Sequence, residues 1–203
     1  MLVRKERFMK KEDIIKISNE HNGYLYSDII KKYSIDTIYI SRLVKKGMLS
    51  KVARGIYITD SGLEDYYFIN SILYSKIVFS GESALYLNNL SNKQYVNNEV
   101  TIPYGSSSPK IKHCKVVVSR KSDFSIGIIE LNSPFGNKVR SYDKERCICD
   151  LFIRPDFYDY EDRVYAINTY KKNYLNFKKL YEYAKIFNVY NEVKNVFEVI
   201  GWN

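Results

Sequence analysis

Residues 36–58, DTIYISRLVKKGMLSKVARGIYI, decide the fold of the first part of this chain. Asp36 is a typical helix N-cap, and Gly47 follows two lysines, as a glycine does just after a helix with a cationic last turn. Between them, apolar residues recur at i, i+3 and i+4 from Ile40 to Val44, which is the spacing of a buried helix face. The pattern predicts a helix whose opposite arc faces solvent.

Two short strands and two earlier helices complete the pattern. Leu49–Val52 and Ile56–Ile58 alternate like strands and flank a turn that contains Gly55. Upstream, Lys11–Asn22 and Asp28–Tyr33 have helical spacing of isoleucines. The order helix, helix, short turn, helix, hairpin is typical of a winged helix-turn-helix, in which the second helix of the pair enters the DNA major groove. We therefore predict such a domain over residues 1–60.

The charge of this segment favours nucleic acid as its partner. Residues 1–60 contain thirteen Lys and Arg against seven Asp and Glu, so +6 of the chain's net charge of +9 lies in them. We predict contacts with double-stranded DNA from the outer arc of the helix and from the hairpin: Thr37, Ile38, Ser41, Arg42, Lys45, Lys46, Lys51 and Arg54. Two alternatives remain, namely a basic surface that only water contacts and a protein-interaction module.

The patterns in residues 61–203 predict a second, larger domain. The expected fold class of the chain is therefore mixed α/β (α+β), with helices at the end. The expected strands are Asn98–Pro103, Ile111–Ser119, Gly127–Leu131 and Lys138–Tyr142. The expected helices are Leu63–Lys76, Gly81–Leu90, Lys144–Phe152, Arg163–Tyr170, Phe177–Ile186 and Tyr190–Ile200.

Composition argues against membrane and secreted proteins. The chain has no run of about 18 apolar residues, and no apolar segment follows its charged start, so we expect neither a membrane span nor a secretory signal. A cytoplasmic protein is expected. Its cysteines are Cys114, Cys147 and Cys149, an odd number without C-x-x-C spacing, which favours buried free thiols over disulfides or a site formed with His113.

No catalytic motif is present. The sequence lacks the phosphate-binding loop, the dinucleotide fingerprint and the nucleophile elbow, so we expect no catalytic residues, no metal and no cofactor. Acidic residues between Asp143 and Asp162 permit a metal-dependent nuclease as an alternative. Helix capping, ion pairs and an acidic loop at Asp156–Asp162 account for them more simply, because assembled geometry rather than the number of acids identifies chemistry.

Four segments together resemble a known family. LVKKGMLSKVARGIYI (43–58), SGESALYL (80–87), YDKERCICDLF (142–152) and KKLYEYAKIFNVYNEV (178–193) are similar to the AbiEi-family antitoxins of type IV toxin–antitoxin systems, which act in abortive infection and phage defence. The resemblance covers nearly the whole chain. Cys147 departs from the family pattern, which often has Thr there, whereas the Glu145, Arg146 and Asp150 positions agree.

The resemblance implies an antitoxin that represses its own promoter. Residues 61–203 would counteract a nucleotidyltransferase-like toxin without forming a stable complex with it. Arg42 would read a guanine, Ile38 would touch a thymine methyl, and Ser41, Lys45 and Lys46 would hold phosphates. Lys51 and Arg54 on the hairpin would grip the adjacent backbone or the minor groove. Self-association on DNA is a further expectation. The alternatives are a stand-alone regulator, which would lack a neighbouring toxin gene, and the nuclease.

Overall fold

The computed structural model describes residues 10–94, 97–107, 110–111 and 114–199, and it divides into two compact units. The first unit comprises the described residues up to Leu73 together with Phe135–Asn137, and the second comprises Tyr74–Pro134 and the described residues from Lys138 onward. Both contain helices and a sheet, and the described part of the chain ends in helices. The predicted mixed α/β class is confirmed.

The first unit has the element order of a winged helix. Its elements are α1 (Lys11–Asn19), β1 (Tyr24–Tyr26), α2 (Ser27–Lys32), α3 (Thr37–Lys45), β2 (Ser50–Ala53), β3 (Ile56–Ile58) and α4 (Tyr66–Leu73). The three strands form one antiparallel sheet in the order β1-β3-β2. Strand β1 has no counterpart in the sequence prediction, since three residues are too few for a periodic pattern.

The core of the first unit lies under α3. Ile40 and Leu43 are buried there, as their spacing predicts, and they pack with isoleucines and leucines of α1, α2 and β1. Ile38, on the other side of α3, is 63% exposed. The amphipathic pattern therefore fixes which face of α3 is available to a partner.

Helix α4 belongs to the first unit, whereas the sequence pattern placed the domain boundary at residue 60. The buried Tyr24 hydroxyl donates to the Leu63 carbonyl at 2.6 Å and accepts from the Asp65 amide at 2.8 Å. The Phe68 ring stands edge-on against the Tyr24 ring, with 5.0 Å between ring centroids. These contacts hold the segment after β3 against the winged-helix sheet.

The second unit contains a five-stranded mixed sheet. Its strands are β4 (Val78–Phe79), β5 (Asn98–Pro103), β6 (Cys114–Ser119), β7 (Ile128–Asn132) and β8 (Lys138–Tyr142), in the order β6-β5-β4-β8-β7. Strands β5 and β6 are parallel, as are β4 and β8, and the other neighbours are antiparallel. Strand β4 is central, yet it has only two residues and was not predicted from the sequence.

Helices of the second unit pack around α7. They are α5 (Gly81–Leu87), α6 (Lys121–Phe124), α7 (Lys144–Ile153), α8 (Tyr160–Asn173), α9 (Phe177–Ile186) and α10 (Tyr190–Val199), with a 3-10 turn at Pro155–Phe157. All residues from Glu145 to Leu151 are buried, so α7 is surrounded by protein along most of its length. Its apolar residues share a core with α8, α9 and α10. The predicted bounds of α9 agree with the structure.

Helices α2 and α3 end in the same backbone geometry, but a serine follows α2 and a glycine follows α3. Ser34 has φ 51° and Gly47 has φ 68°, both in the left-handed region. At each end the next amide reaches back to the helix, from Ile35 to the Ile30 carbonyl and from Met48 to the Leu43 carbonyl, both in Schellman geometry. A serine in this conformation is strained by about 1–2 kcal/mol, whereas glycine is not.

Opposite substitutions at these two positions should change stability in opposite directions. We expect Ser34→Gly to raise the free energy of unfolding by about 0.5–1 kcal/mol, because strain relief outweighs glycine's extra chain entropy. Gly47→Ala should lower it by about 1 kcal/mol through backbone strain alone, since no atom lies within 4 Å of the added Cβ. Ser34→Ala is the control and should change stability little. Urea denaturation, with amide exchange of α3 assigning the transition, measures the changes; a destabilised Ser34→Gly variant would contradict the argument.

Candidate nucleic-acid interface

Helix α3 presents one stripe of predicted contact residues to solvent. Its beginning is fixed by the Asp36 carboxylate, which accepts a hydrogen bond from the Ile38 amide at 2.8 Å. Its end is fixed by the left-handed Gly47. The exposed residues between them follow one face of the helix at i, i+1, i+4, i+5 and i+8: Thr37, Ile38, Ser41, Arg42 and Lys45. Lys46, the C-cap residue, is exposed as well.

The hairpin adds two cations to this surface. Strands β2 and β3 are joined by Arg54 and Gly55, and Gly55 has φ 71°, a conformation that favours glycine. A Cβ on Gly55 would lie 3.1 Å from the Ser27 hydroxyl, so the turn lies against the start of α2. Lys51 is exposed and its backbone pairs with that of Tyr57. The turn is short, which keeps Arg54 close to the body of the unit.

We call the exposed residues Ile38, Arg42, Lys45, Lys46, Lys51 and Arg54 the basic face. Within the described parts of the chain, no carboxylate lies within ion-pairing distance of any of its five cations. Exposed cations that form no ion pair with a carboxylate keep their full attraction for a polyanion. The basic face is therefore available, in charge and in exposure, to bind phosphates.

Two residues of α3 differ in their capacity for polar contacts. The Ser41 hydroxyl donates to the Thr37 carbonyl at 3.0 Å, so it must give up this hydrogen bond before it donates to a phosphate. Ile38, by contrast, is apolar and 63% exposed, one helical turn before Arg42. An isolated apolar side chain in a basic stripe is suited to contact with a thymine methyl.

All eight predicted contact residues are thus exposed, six on or at the end of α3 and two on the hairpin. Their contact with DNA stays a prediction. Sequence reasoning missed Ser27, whose exposed hydroxyl lies next to the turn that bears Arg54. The signal for it was Gly55, since a glycine in a hairpin turn can mark a close approach of another element.

The family-like residues of α7 are part of a buried polar network. Arg146 Nε donates to Asp150 at 2.9 Å, and Arg146 also donates to the carbonyls of Asp123 and Ile126. Its guanidinium lies over the Tyr142 ring, 4.4 Å from the centroid, and also over that of Phe187. Arg146 is buried and its hydrogen bonds all go to groups of the protein, which indicates a structural role.

Glu145 takes part in a different ion pair from Arg146. Its carboxylate lies 3.2 Å from Lys179 Nζ and accepts from the Tyr170 hydroxyl at 3.1 Å. Lys179 also contacts Asp143, whose carboxylate caps α7 by accepting from the Arg146 amide. Partial burial of Lys179 disfavours its charge, but the hydrogen bonds and charges of the two carboxylates outweigh this and raise its pKa.

The other acidic residues up to Asp162 either form an ion pair or lie at the start of a helix or 3-10 turn. The predicted acidic loop at Asp156–Asp162 is wrong in part, because Pro155–Phe157 forms a 3-10 turn and α8 begins at Tyr160. Acids in the first turn of α8 complement the helix dipole, which explains why the acidic segment is helical. Asp162 is buried and pairs with Lys93.

Buried thiols are poor metal ligands here. Cys147 and Cys149 lie on α7, and burial raises the pKa of both thiols. Because the thiolate is the metal-binding form, these cysteines behave as apolar core residues. His113 lies outside the described residues. Among the residues that are described, no three His, Cys, Asp or Glu side chains are grouped so that they could hold a metal ion.

None of the helices in the described part of the chain is both long enough and apolar enough to cross a membrane.

Comparison with known proteins supports the fold and no family. No protein-family model matches the sequence, and no curated protein is significantly similar to it. Among solved structures, the chain is similar to the RV2827C protein from Mycobacterium tuberculosis, with a TM-score of 0.58 over 87% of this chain and 72% of that chain, at 11% sequence identity. At this identity the similarity establishes a shared fold alone, and the resemblance to AbiEi-family antitoxins stays a prediction.

Proposed function

We propose that this protein is the antitoxin of a type IV toxin–antitoxin system and that it represses its own promoter by binding double-stranded DNA. The observation that carries the DNA-binding part is the basic face, which combines five cations free of ion pairs among the described residues with the exposed Ile38. Repression of its own promoter places the protein in the cytoplasm, with bacterial DNA.

In this proposal α3 enters the major groove and the hairpin contacts the adjacent backbone. Arg42 donates two hydrogen bonds to the O6 and N7 atoms of a guanine, and Ile38 packs on a thymine methyl. Lys45 and Lys46 hold phosphates near the end of α3. Since the turn between β2 and β3 is short, we assign Lys51 and Arg54 to phosphates rather than to base edges.

The antitoxin part of the proposal rests on the family resemblance of the second unit. SGESALYL forms the start and body of α5, and YDKERCICDLF runs from the end of β8 through most of α7. The partner is a nucleotidyltransferase-like toxin, which the antitoxin counteracts without a stable complex. We assign no enzymatic step and no cofactor to this activity.

Salt dependence tests whether the basic face binds DNA. Each phosphate contact releases condensed counterions, so about five to eight contacts give a slope of log affinity against log salt on the order of −4 to −7 per bound protomer. Fluorescence anisotropy with promoter DNA between low and moderate salt measures this slope. Affinity that does not change with salt would contradict binding through Arg and Lys.

Substitutions on α3 and on the hairpin should affect binding differently. Arg42→Ala should cost about 1–3 kcal/mol at the preferred site and relax sequence preference, because it removes a base contact. Lys51→Ala and Arg54→Ala should weaken binding to all DNA about equally and make the salt slope shallower by about 1 each. Competition binding with promoter and unrelated duplexes separates the two effects. Unchanged preference after Arg42→Ala would place the recognition surface elsewhere.

Repression and toxin counteraction should be separable in the full-length chain. The double substitution Arg42→Ala, Arg54→Ala changes only exposed residues of the first unit, so we expect it to abolish promoter repression and to leave protection from the cognate toxin intact. Co-expression with the toxin, scored for growth and promoter activity, measures both. Lys76→Ala, an exposed cation of the second unit, is the control and should change neither. Loss of protection by the stably expressed double variant would refute the separation.

A further inference from the structure

Helix α8 is apolar on two opposite sides. Ala166, Ile167 and Tyr170 on one side are buried in the core of the second unit. On the other side, Tyr160 is 77% exposed and is followed at one helical turn by the exposed residues Val164 and Tyr165. Val164 is 39% exposed and Tyr165 43%, so this second side is partly open to solvent. A surface helix needs only one apolar face to pack on the core, whereas α8 has two.

The exposed side forms one continuous stripe, which we call the outer stripe. Its residues follow each other at alternating steps of one and three along the helix: Tyr160, Glu161, Val164, Tyr165, Asn168, Thr169, Lys172 and Asn173. The two aromatic rings and the valine lie in the first half of the stripe. They bring three apolar side chains together at the surface, whereas apolar residues scattered singly are usual there.

Charge is distributed unequally along the outer stripe. Glu161 lies near its beginning, with Asp159 just before the helix, and Lys172 lies near its end. Glu161 and Lys172 are eleven residues apart, about 16 Å along a helix, so they do not pair with each other. Neither forms an ion pair with any other residue of the described chain. One end of the stripe is therefore negative and the other positive.

We propose that the outer stripe binds the outer stripe of a second copy of this chain, with the two α8 helices antiparallel about a two-fold axis. In this register Glu161 of each copy meets Lys172 of the other, Val164 meets Thr169, and Tyr165 meets Asn168. Tyr165 lies next to the axis, Tyr160 meets Asn173 at each end of the interface, and both charged pairs form at once. A two-fold interface requires a self-complementary surface, and this distribution of charge supplies one.

The interface is small. A helix of 14 residues is about 21 Å long, which is less than the span of a standard interface that buries about 800 Å² per partner. We therefore expect a dissociation constant on the order of tens of micromolar. Such a dimer dissociates at low concentration and is favoured where two copies are held close together. The inference needs neither DNA nor a toxin and is tested without them.

Sedimentation equilibrium of the full-length chain, without DNA, tests the dimer. We expect a monomer–dimer equilibrium in which Glu161→Lys or Lys172→Glu raises the dissociation constant at least about tenfold, because each reversal places two like-charged pairs in the interface. The double variant Glu161→Lys, Lys172→Glu exchanges the two ends and should restore the dissociation constant to within about threefold. Glu182→Lys on α9 makes the same change of net charge as Glu161→Lys, but at an exposed position outside the outer stripe. It should leave the dissociation constant unchanged.

Several outcomes would overturn the proposal. A chain that stays monomeric at several hundred micromolar has no such interface. A dimer that is insensitive to both single reversals uses another surface. A double variant that stays as weak as the single variants excludes the antiparallel register. Circular dichroism and thermal unfolding of each variant show that helix content and stability are unchanged. Val164→Ala, which removes apolar area without charge, gives a second and independent weakening of the dimer.

Discussion

Burial of charge on α7 is the constraint on which the second unit depends. An ion that loses its water at an effective cost of several kcal/mol must find its partners inside the protein. Arg146 finds them in Asp150, in two carbonyls before β7 and in the rings of Tyr142 and Phe187. These partners come from four different segments. The helix can therefore be buried only when the sheet, the α6 turn and α9 are in place around it.

The first unit depends on local geometry instead. Left-handed residues at Ser34 and Gly47 end α2 and α3, and hydrogen bonds close both turns within a few residues of the chain. Asp36 fixes the start of α3 from the adjacent position. Because all these determinants are near in sequence, the bounds of α3 are fixed locally, and the buried Ile40 and Leu43 decide which of its faces is exposed. A binding surface on elements fixed in this way is well suited to recognition.

This difference explains what could be predicted from the sequence. The helix from Thr37, its N-cap, its buried Ile40 and Leu43 and the hairpin after Gly47 followed from local patterns and are present. The strands β5 and β8 were predicted with their observed bounds. The short strands β1 and β4 were missed, because two or three residues show no period and their pairing partners are distant in sequence. Sheet order depends on those strands and was not predictable either.

The same reasoning separates the two candidate surfaces. On α3 the outward position of Arg42 and Lys45 follows from the spacing of the residues behind them, so sequence alone could nominate them. What it could not show is that no described carboxylate pairs with them or that Ser41 already donates to Thr37. In the second unit, Glu145 matches the family pattern in sequence, and in the structure Lys179 and Tyr170 contact its carboxylate. A family-like charged residue that is buried and paired maintains the fold. The chemistry available to a partner of the second unit therefore lies on its exposed helices rather than in α7.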